Sequence, residues 1–189
     1  MGSIRIKNDN VTFIHIPKTG GKSIRDWMLR IPSAEIMPLD VRDINVKHPD
    51  IWKTKEYFGE LGWTFCCVRN PYDRILSMWH HLKKTIKYKG DFTKFVMEDA
   101  DYNTYMKPMS TWFDEVDYVM KLENLNEDFK IVQKKLNKMD GLKHIGKGAL
   151  NKFDAKTIVK LYYTNELKEF VTEKFKEDLE RFNYSYSER

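Results

Sequence analysis

The chain contains 189 residues, of which 41% are hydrophobic and 14% aromatic, and this composition excludes an intrinsically disordered protein. One domain over 1–189, with a substantial core, is the expected organisation. The net charge of +5 favours anionic partners but does not choose among nucleotides, sulfated glycans and nucleic acids. No apolar run reaches the length of a membrane span, and the first residues lack the apolar core of a signal peptide, so we expect a cytoplasmic protein without a membrane partner.

Strands are predicted to alternate with helices along the chain. The apolar patterns indicate strands at 11–16, 34–38, 63–68 and 117–122. They indicate helices at 21–31, 49–58, 71–88, 92–99, 124–138, 155–162 and 164–182. Because this alternation is typical of parallel sheets, the predicted fold is α/β: a single-domain, three-layer arrangement of a mostly parallel sheet flanked by helices.

A glycine-rich turn with the sequence P-K-T-G-G-K-S follows the first predicted strand and leads into a helix. A strand, a glycine-rich turn and a helix N-terminus direct several backbone N–H groups at one place, which makes an anion-binding site. Lysine and hydroxyl side chains add further donors. We therefore predict that a phosphate or sulfate group binds to Lys18, Thr19, Gly20, Gly21, Lys22 and Ser23.

The predicted strand at 63–68 leads into a second corner of the same kind. Asn70 is a good helix N-cap, and Pro71 suits the first helical position. Arg69 at the strand end and Ser77 on the helix are predicted to bind a second anion. Ligands of parallel α/β sheets bind beyond the carboxyl ends of the strands, and both corners occupy that edge.

Two other functions are compatible with part of this pattern. The segment Gly21-Lys22-Ser23 is like the end of a Walker A loop, which suggests a P-loop nucleotide kinase, but the full motif needs glycine where the chain has Ile16. A kinase also needs a carboxylate for Mg²⁺ at a strand end, and this strand ends at Arg69. A non-catalytic module that binds polyanions would explain the charge and predicts salt-sensitive affinity, but it leaves the two separate corners unexplained.

The cysteines and histidines do not have the spacing of metal ligands, so no metal is expected. Cys66 and Cys67 are adjacent on a predicted strand, and their side chains are expected to point to opposite faces as reduced core residues. His80 and His81 are neighbours on one helix, which is a poor arrangement for a metal pair.

Together the two corners resemble the sulfotransferases that use 3′-phosphoadenosine 5′-phosphosulfate (PAPS), and the carbohydrate-type branch in particular. In that family a P-K-T-G-G-x-S turn holds the 5′-phosphosulfate, which matches 17–23. An R-N-P-x-x-R-x-x-S corner holds the 3′-phosphate through its first arginine and its serine, which match Arg69 and Ser77. The similarity continues through 117–124 and 162–184, although Lys22 stands where the family often has threonine.

The resemblance implies a sulfotransferase domain over 1–189 with a P-loop-like fold. It implies in-line transfer of a sulfuryl group from PAPS to a hydroxyl acceptor, with saccharides rather than nucleic acid as partners. A sulfuryl group carries less negative charge than a phosphoryl group, so a lysine and backbone amides suffice without Mg²⁺. Lys18 is then expected to stabilise the charge that develops on the bridging oxygen as the nucleotide leaves.

The acceptor hydroxyl also needs a general base, and imidazole titrates near neutral pH, which suits this role. His48 begins a predicted helix between the two corners, and many relatives have a histidine at a similar distance before the R-N-P corner. His48 is therefore the predicted base, with Asp50 and Glu56 in reserve. His15 lies in the first predicted strand and is expected to be a core or strand-end residue.

Two further features bear on the substrates. The segment 139–154 is rich in glycine and lysine and is predicted to be a loop, in which Lys147 is expected to contact the donor; an ordinary solvated loop has the same composition. Four aromatic residues lie in segments that can flank the donor, where they can stack on a sugar ring or pack in the core: Trp52, Tyr57, Tyr88 and Trp112.

Overall fold

The computed structural model describes residues 2–38, 48–99, 107–140 and 155–186. Within these ranges five strands form one sheet in the order β3-β1-β2-β4-β5. Their bounds are β1 Ile4–Ile6, β2 Val11–Ile14, β3 Ala34–Ile36, β4 Trp63–Val68 and β5 Tyr118–Lys121. β4 pairs in parallel with β2 and with β5, whereas β1 pairs antiparallel with β2 and with β3. Four of the five strands therefore run in one direction, which confirms the predicted mostly parallel α/β sheet.

β1 is a strand that the sequence analysis missed. It has three residues, which is too short to show a strand period, and the turn at 7–10 joins it to β2. Asn10 closes this turn with a positive φ of 50°, a conformation that asparagine tolerates better than most residues. The result is a short hairpin in a part of the chain for which no element was predicted.

Eight α-helices accompany the sheet in the described ranges. They are α1 Gly21–Met28, α2 Ile51–Phe58, α3 Pro71–Thr85, α4 Phe92–Lys94, α5 Leu125–Lys135, α6 Ala155–Tyr162, α7 Asn165–Lys174 and α8 Lys176–Arg181. A π-helical turn at Phe95–Asp99 continues α4, and 3₁₀ turns lie at Met109–Trp112 and Leu122–Asn124. The single helix predicted at 164–182 is wrong in one respect, because the buried Phe175 leaves helical geometry (φ −113°, ψ 22°) and separates α7 from α8.

Residues 1–68 and 111–146 form one compact unit, which contains the sheet. On one face of the sheet, Phe13, Phe65 and Met120 pack with residues of α1 and α5, including Trp27 and Phe129. Ile14 and Cys66 belong to the opposite face, because successive side chains of a strand alternate, and they are buried as well. The sheet is therefore buried on both faces, as predicted for the middle layer of a three-layer fold.

Residues 69–110 and 147–189 form a second unit, which is helical in its described parts. Its core contains aromatic and aliphatic residues of α3, α4, α6 and α7, among them Leu76, Phe92, Val159 and Val171. The prediction that the two units make up one domain over 1–189 stays a prediction.

The two cysteines agree with their expected place. Both lie in β4, both are buried and they are not joined in a disulfide. Cys67 packs in the core with Phe65, while its neighbour Cys66 is on the other face.

Candidate active site

The first glycine-rich corner lies between β2 and α1, as predicted. Gly20 is the N-cap of α1 with φ 82° and ψ 1°, in the left-handed region that favours glycine. A Cβ atom on Gly21 would overlap the imidazole of His15. Both glycines are therefore required for the path of this turn. Gly20 is the N-cap residue of α1 but has no side chain, so no capping side chain accepts a hydrogen bond from the first N–H groups of the helix.

The side chains of the turn differ in exposure. Lys18 and Ser23 are half-buried, and Lys22 is exposed. Thr19 is fully buried, and its hydroxyl donates to the backbone oxygen of Ile16 at 3.0 Å. The one hydroxyl hydrogen of Thr19 is therefore used in a hydrogen bond within the turn. The group of Thr19 that can donate to an anion, as predicted, is then its backbone N–H.

Lys18 adopts an unusual backbone conformation for a residue with a side chain. Its φ is 67°, in the left-handed region that only a few per cent of non-glycine residues occupy. Such strain is of order 1 kcal/mol or more and is found preferentially at functional sites. An asparagine or glycine would adopt this conformation with less strain, so the backbone alone does not favour lysine here. The presence of lysine despite this strain supports a functional role for its side chain.

His48 contacts His15, which lies two residues before the glycine-rich turn at 17–23. Its Nδ1 atom lies 3.1 Å from the backbone oxygen of His15, and the two rings meet edge to face with centroids 4.6 Å apart. A carbonyl oxygen is only an acceptor, so Nδ1 must be the protonated nitrogen. In the neutral ring the lone pair is then on Nε2, which is the form that accepts a proton from a substrate.

His15 itself is the strand-end core residue that the sequence predicts. It is 3% exposed and stacks on Phe13 with ring centroids 5.5 Å apart. Its backbone oxygen orients His48, while its ring occupies the space beside Gly21. No local sequence signal indicated that His15 connects these two residues, because His48 is 33 positions away.

The reserve residues and the aromatic candidates have distinct places. Asp50 caps α2 by accepting from the backbone N–H of Lys53 at 2.8 Å, and Glu56 is exposed on that helix. Trp52 and Tyr57 are 49% and 52% exposed, whereas Trp112 is buried. Tyr88 is partly buried against the core of the helical unit. Trp52 and Tyr57 are therefore the two most exposed of these four aromatic residues.

The second corner begins α3 as predicted. Asn70 caps the helix by accepting from the N–H of Tyr72 at 3.1 Å, and Pro71 is the first helical residue. The side-chain N–H₂ of Asn70 also donates to the backbone oxygen of Ser185 at 2.9 Å. Arg69 and Ser77, the two predicted anion ligands, are both half-buried.

Arg74 of the same motif is 1% exposed and lies inside the helical unit. Its Nη1 donates to the backbone oxygen of Lys107 at 2.8 Å. The pKa of Arg74 is lowered to about 10, chiefly by burial; the negative charge of Asp178 opposes this shift, and the positive charge of Arg69 adds to it. Arg74 therefore has a structural role in the second corner, which its position in the motif did not reveal.

Asp178 is the buried acid that accompanies Arg74. It is fully buried, and its carboxylate accepts from the backbone N–H groups of Met109 at 2.7 Å and Ser110 at 2.9 Å. Burial raises the pKa of Asp178, and these two hydrogen bonds together with Arg74 oppose the rise. Both net pKa shifts disfavour the charged forms, so the two charges are not in themselves a source of stability, but removing either would leave the other buried without its compensating charge.

Replacing Asp178 by alanine is expected to lower the free energy of unfolding by about 3–5 kcal/mol. The substitution leaves two buried N–H groups without their acceptor and removes the charge that compensates Arg74. Denaturant unfolding of the full chain, followed by tryptophan fluorescence, measures the loss. Asp91, an exposed helix cap whose carboxylate accepts from the N–H of Lys94 at 2.8 Å, provides the control. Asp91→Ala is expected to lose about 1 kcal/mol, and an equal loss in the two variants would contradict this role of Asp178.

Lys147 lies outside the described residues, together with 141–154 of the predicted loop. Among the residues that the structure describes, no three histidine, cysteine or acidic side chains cluster as metal ligands. The helices of the described ranges include none that is long and apolar enough to cross a membrane.

The profile of the sulfotransferase family matches residues 2–185. The chain belongs to the sulfotransferase family. A crystal structure of a sulfotransferase from Alicyclobacillus acidocaldarius is similar over 93% of this chain and 98% of that chain, with 12% sequence identity and a TM-score of 0.44. No curated protein sequence matches the chain.

Membership of this family confirms the sulfotransferase family predicted from the sequence. Both corners fall within the matched range, and the protein is accordingly a transferase of sulfuryl groups. The sulfotransferase assignment accounts for the paired anion motifs more completely than a kinase or a polyanion-binding module does.

Proposed function

We propose that this sulfotransferase transfers the sulfuryl group of PAPS to a hydroxyl group of a carbohydrate, with His48 as the general base. The observation that carries the proposal is the hydrogen bond between Nδ1 of His48 and the backbone oxygen of His15. His15 lies two residues before the turn at 17–23, and its ring packs against Gly21 of that turn, so His15 connects the predicted base with the predicted donor site. The base therefore has both a defined tautomer and a fixed relation to that turn.

The transfer exchanges one S–O bond for another. The oxygen of the acceptor hydroxyl bonds to the sulfuryl sulfur, and the hydroxyl proton passes to Nε2 of His48. The bond between sulfur and the bridging phosphate oxygen breaks, and its electron pair leaves with 3′-phosphoadenosine 5′-phosphate. Lys18 stabilises the charge that develops on that oxygen, with backbone N–H groups of the turn holding the 5′-phosphosulfate.

The remaining predicted donor ligands take their roles from the family motifs. Gly20 and Gly21 allow the turn its close approach to the ligand, and Lys22 and Ser23 add donors at the start of α1. Arg69 and Ser77 are proposed to bind the 3′-phosphate. Lys147 is proposed as a further contact to the donor, and the protein is proposed to act in the cytoplasm without a metal ion.

The transfer itself is tested by incubating the protein with PAPS labelled in its sulfuryl group and a panel of saccharides, lipids and small alcohols. Label is expected to appear on a saccharide hydroxyl, and to do so in excess chelator, because lysine and backbone donors stabilise the charge. ATP labelled in its γ-phosphate is the control and is expected to transfer nothing. Transfer from ATP that depends on Mg²⁺ would instead indicate a kinase, and label on lipids alone would contradict the carbohydrate acceptor.

Recognition of the 3′-phosphate predicts a difference between two nucleotides. The protein is expected to bind 3′-phosphoadenosine 5′-phosphate more tightly than adenosine 5′-monophosphate, by roughly 10- to 100-fold, because charge-assisted bonds to the phosphate contribute about 1.5–3 kcal/mol. Arg69→Ala is expected to remove most of that difference in calorimetric titrations. Arg181 is an exposed arginine of the same unit, and Arg181→Ala should preserve the difference. Equal affinities of the unaltered protein for both nucleotides would contradict a 3′-phosphate site.

A further inference from the structure

Trp112 holds the main chain of His48 by a hydrogen bond that spans 64 positions in the sequence. Its indole Nε1 donates to the backbone oxygen of His48 at 3.1 Å. Trp112 is 5% exposed and ends the 3₁₀ turn Met109–Trp112. An indole N–H is only a hydrogen-bond donor, and a buried indole usually has an acceptor for it. Here the backbone oxygen of His48 is that acceptor.

The backbone that follows His48 in the chain is also conformationally restricted. Pro49 follows His48, and the residue before a proline is confined to extended conformations. Asp50 then caps α2, which begins at Ile51. The backbone oxygen of His48 is the group that links this restricted segment to Trp112, and the ring is oriented separately by His15.

We infer that Trp112 is a positioning residue for the general base. The inference rests on the proposed role of His48, and it assigns to Trp112 no contact with substrate. Trp112 fixes where the main chain of His48 lies, and the backbone oxygen of His15 fixes how its ring is turned. Both anchors are needed to place Nε2 for proton transfer, because a displacement of about 1 Å can lower a rate by two orders of magnitude.

The variant Trp112→Phe keeps an aromatic ring and removes the N–H donor. Turnover is expected to fall by roughly 10-fold, with the KM for PAPS and the affinity for 3′-phosphoadenosine 5′-phosphate unchanged. Trp79 provides a matched control: it is 6% exposed, and its indole donates to the backbone oxygen of Gly90 at 3.2 Å. Trp79→Phe removes the same kind of bond away from His48 and is expected to leave turnover unchanged.

A double-mutant cycle separates positioning from general structural damage. If Trp112 acts through His48, Trp112→Phe has little further effect in a His48→Ala protein, so the two losses are not additive. The same loss in both backgrounds would overturn the inference while leaving His48 as the base. Near-normal turnover of His48→Ala alone would instead contradict the proposed base, so the two failures are distinguishable.

A second variant covers the case in which phenylalanine does not fill the site and the protein fails to fold. Incorporating benzothienylalanine at position 112 retains the shape of the indole and replaces its N–H by sulfur. This protein is expected to fold and to show the same loss of turnover as Trp112→Phe. Full turnover with benzothienylalanine would overturn the inference, because it would show that ring volume is sufficient without the hydrogen bond.

Discussion

His48→Ala is expected to lower turnover by roughly 10²–10⁴-fold, which is the usual contribution of a positioned general base. Affinity for 3′-phosphoadenosine 5′-phosphate is expected to remain nearly unchanged, because the proposed donor ligands lie in the turn at 17–23 and in the second corner. Single-turnover transfer from labelled PAPS measures the chemical step, and calorimetry measures nucleotide binding. In the unaltered protein the rate is expected to fall in acid, as the imidazole becomes protonated, and this acid limb should be missing from the variant.

The control for this prediction is His81→Ala, which removes an exposed histidine of α3 and should leave the rate unchanged. If His48→Ala turned over at nearly the normal rate, His48 would be a structural residue. The base would then have to be a carboxylate, and Glu56 would be the first to test, because Asp50 is engaged as the cap of α2.

Lys18→Ala is expected to lower turnover by roughly 10²–10³-fold, the effect of losing one donor that stabilises developing charge. The loss should be larger in turnover than in binding of 3′-phosphoadenosine 5′-phosphate, because the charge on the bridging oxygen develops as the sulfuryl group leaves. Comparing rapid-quench transfer rates with nucleotide affinity measures this split.

Two further substitutions at position 18 show which property of the lysine matters. Lys18→Met keeps most of the apolar stem and, like lysine, places a side chain at a φ of 67°, so it isolates the charge. It should be as slow as Lys18→Ala. Lys18→Arg keeps the charge but presents a planar donor group, and it is expected to recover part of the rate. If Lys18→Met retained normal turnover, the charge of Lys18 would have no part in catalysis.

Local signals in the sequence were sufficient for the elements around both corners. The apolar runs before the turn at 17–23 and before Arg69 predicted β2 and β4, and the Asn70-Pro71 pair predicted where α3 begins. Each of these signals acts within a few residues, because strand periodicity, helix capping and the restricted φ of proline are properties of short segments.

The elements and contacts that were not predicted depend instead on residues far apart in the chain or on local breaks that the apolar spacing does not show. β1 is too short to show a period and depends on pairing with both β2 and β3. The apolar stripe of 164–182 continues through Phe175, so its spacing did not reveal the break between α7 and α8. Arg74 occupies a polar position of a motif, yet its burial beside Asp178 is a consequence of packing between elements far apart in the chain.

The sequence by itself determined the family, the alternation of strands and helices, and the residue types available for anion binding. Those properties follow from short motifs whose chemistry does not depend on distant contacts. Tertiary structure alone decided how His48 is held: its partners His15 and Trp112 lie 33 and 64 positions away, and both bonds involve backbone oxygens that carry no side-chain signature. Every residue has a main-chain carbonyl, so a hydrogen bond to one cannot be predicted from residue types. The orientation of the proposed base therefore depends on the tertiary structure.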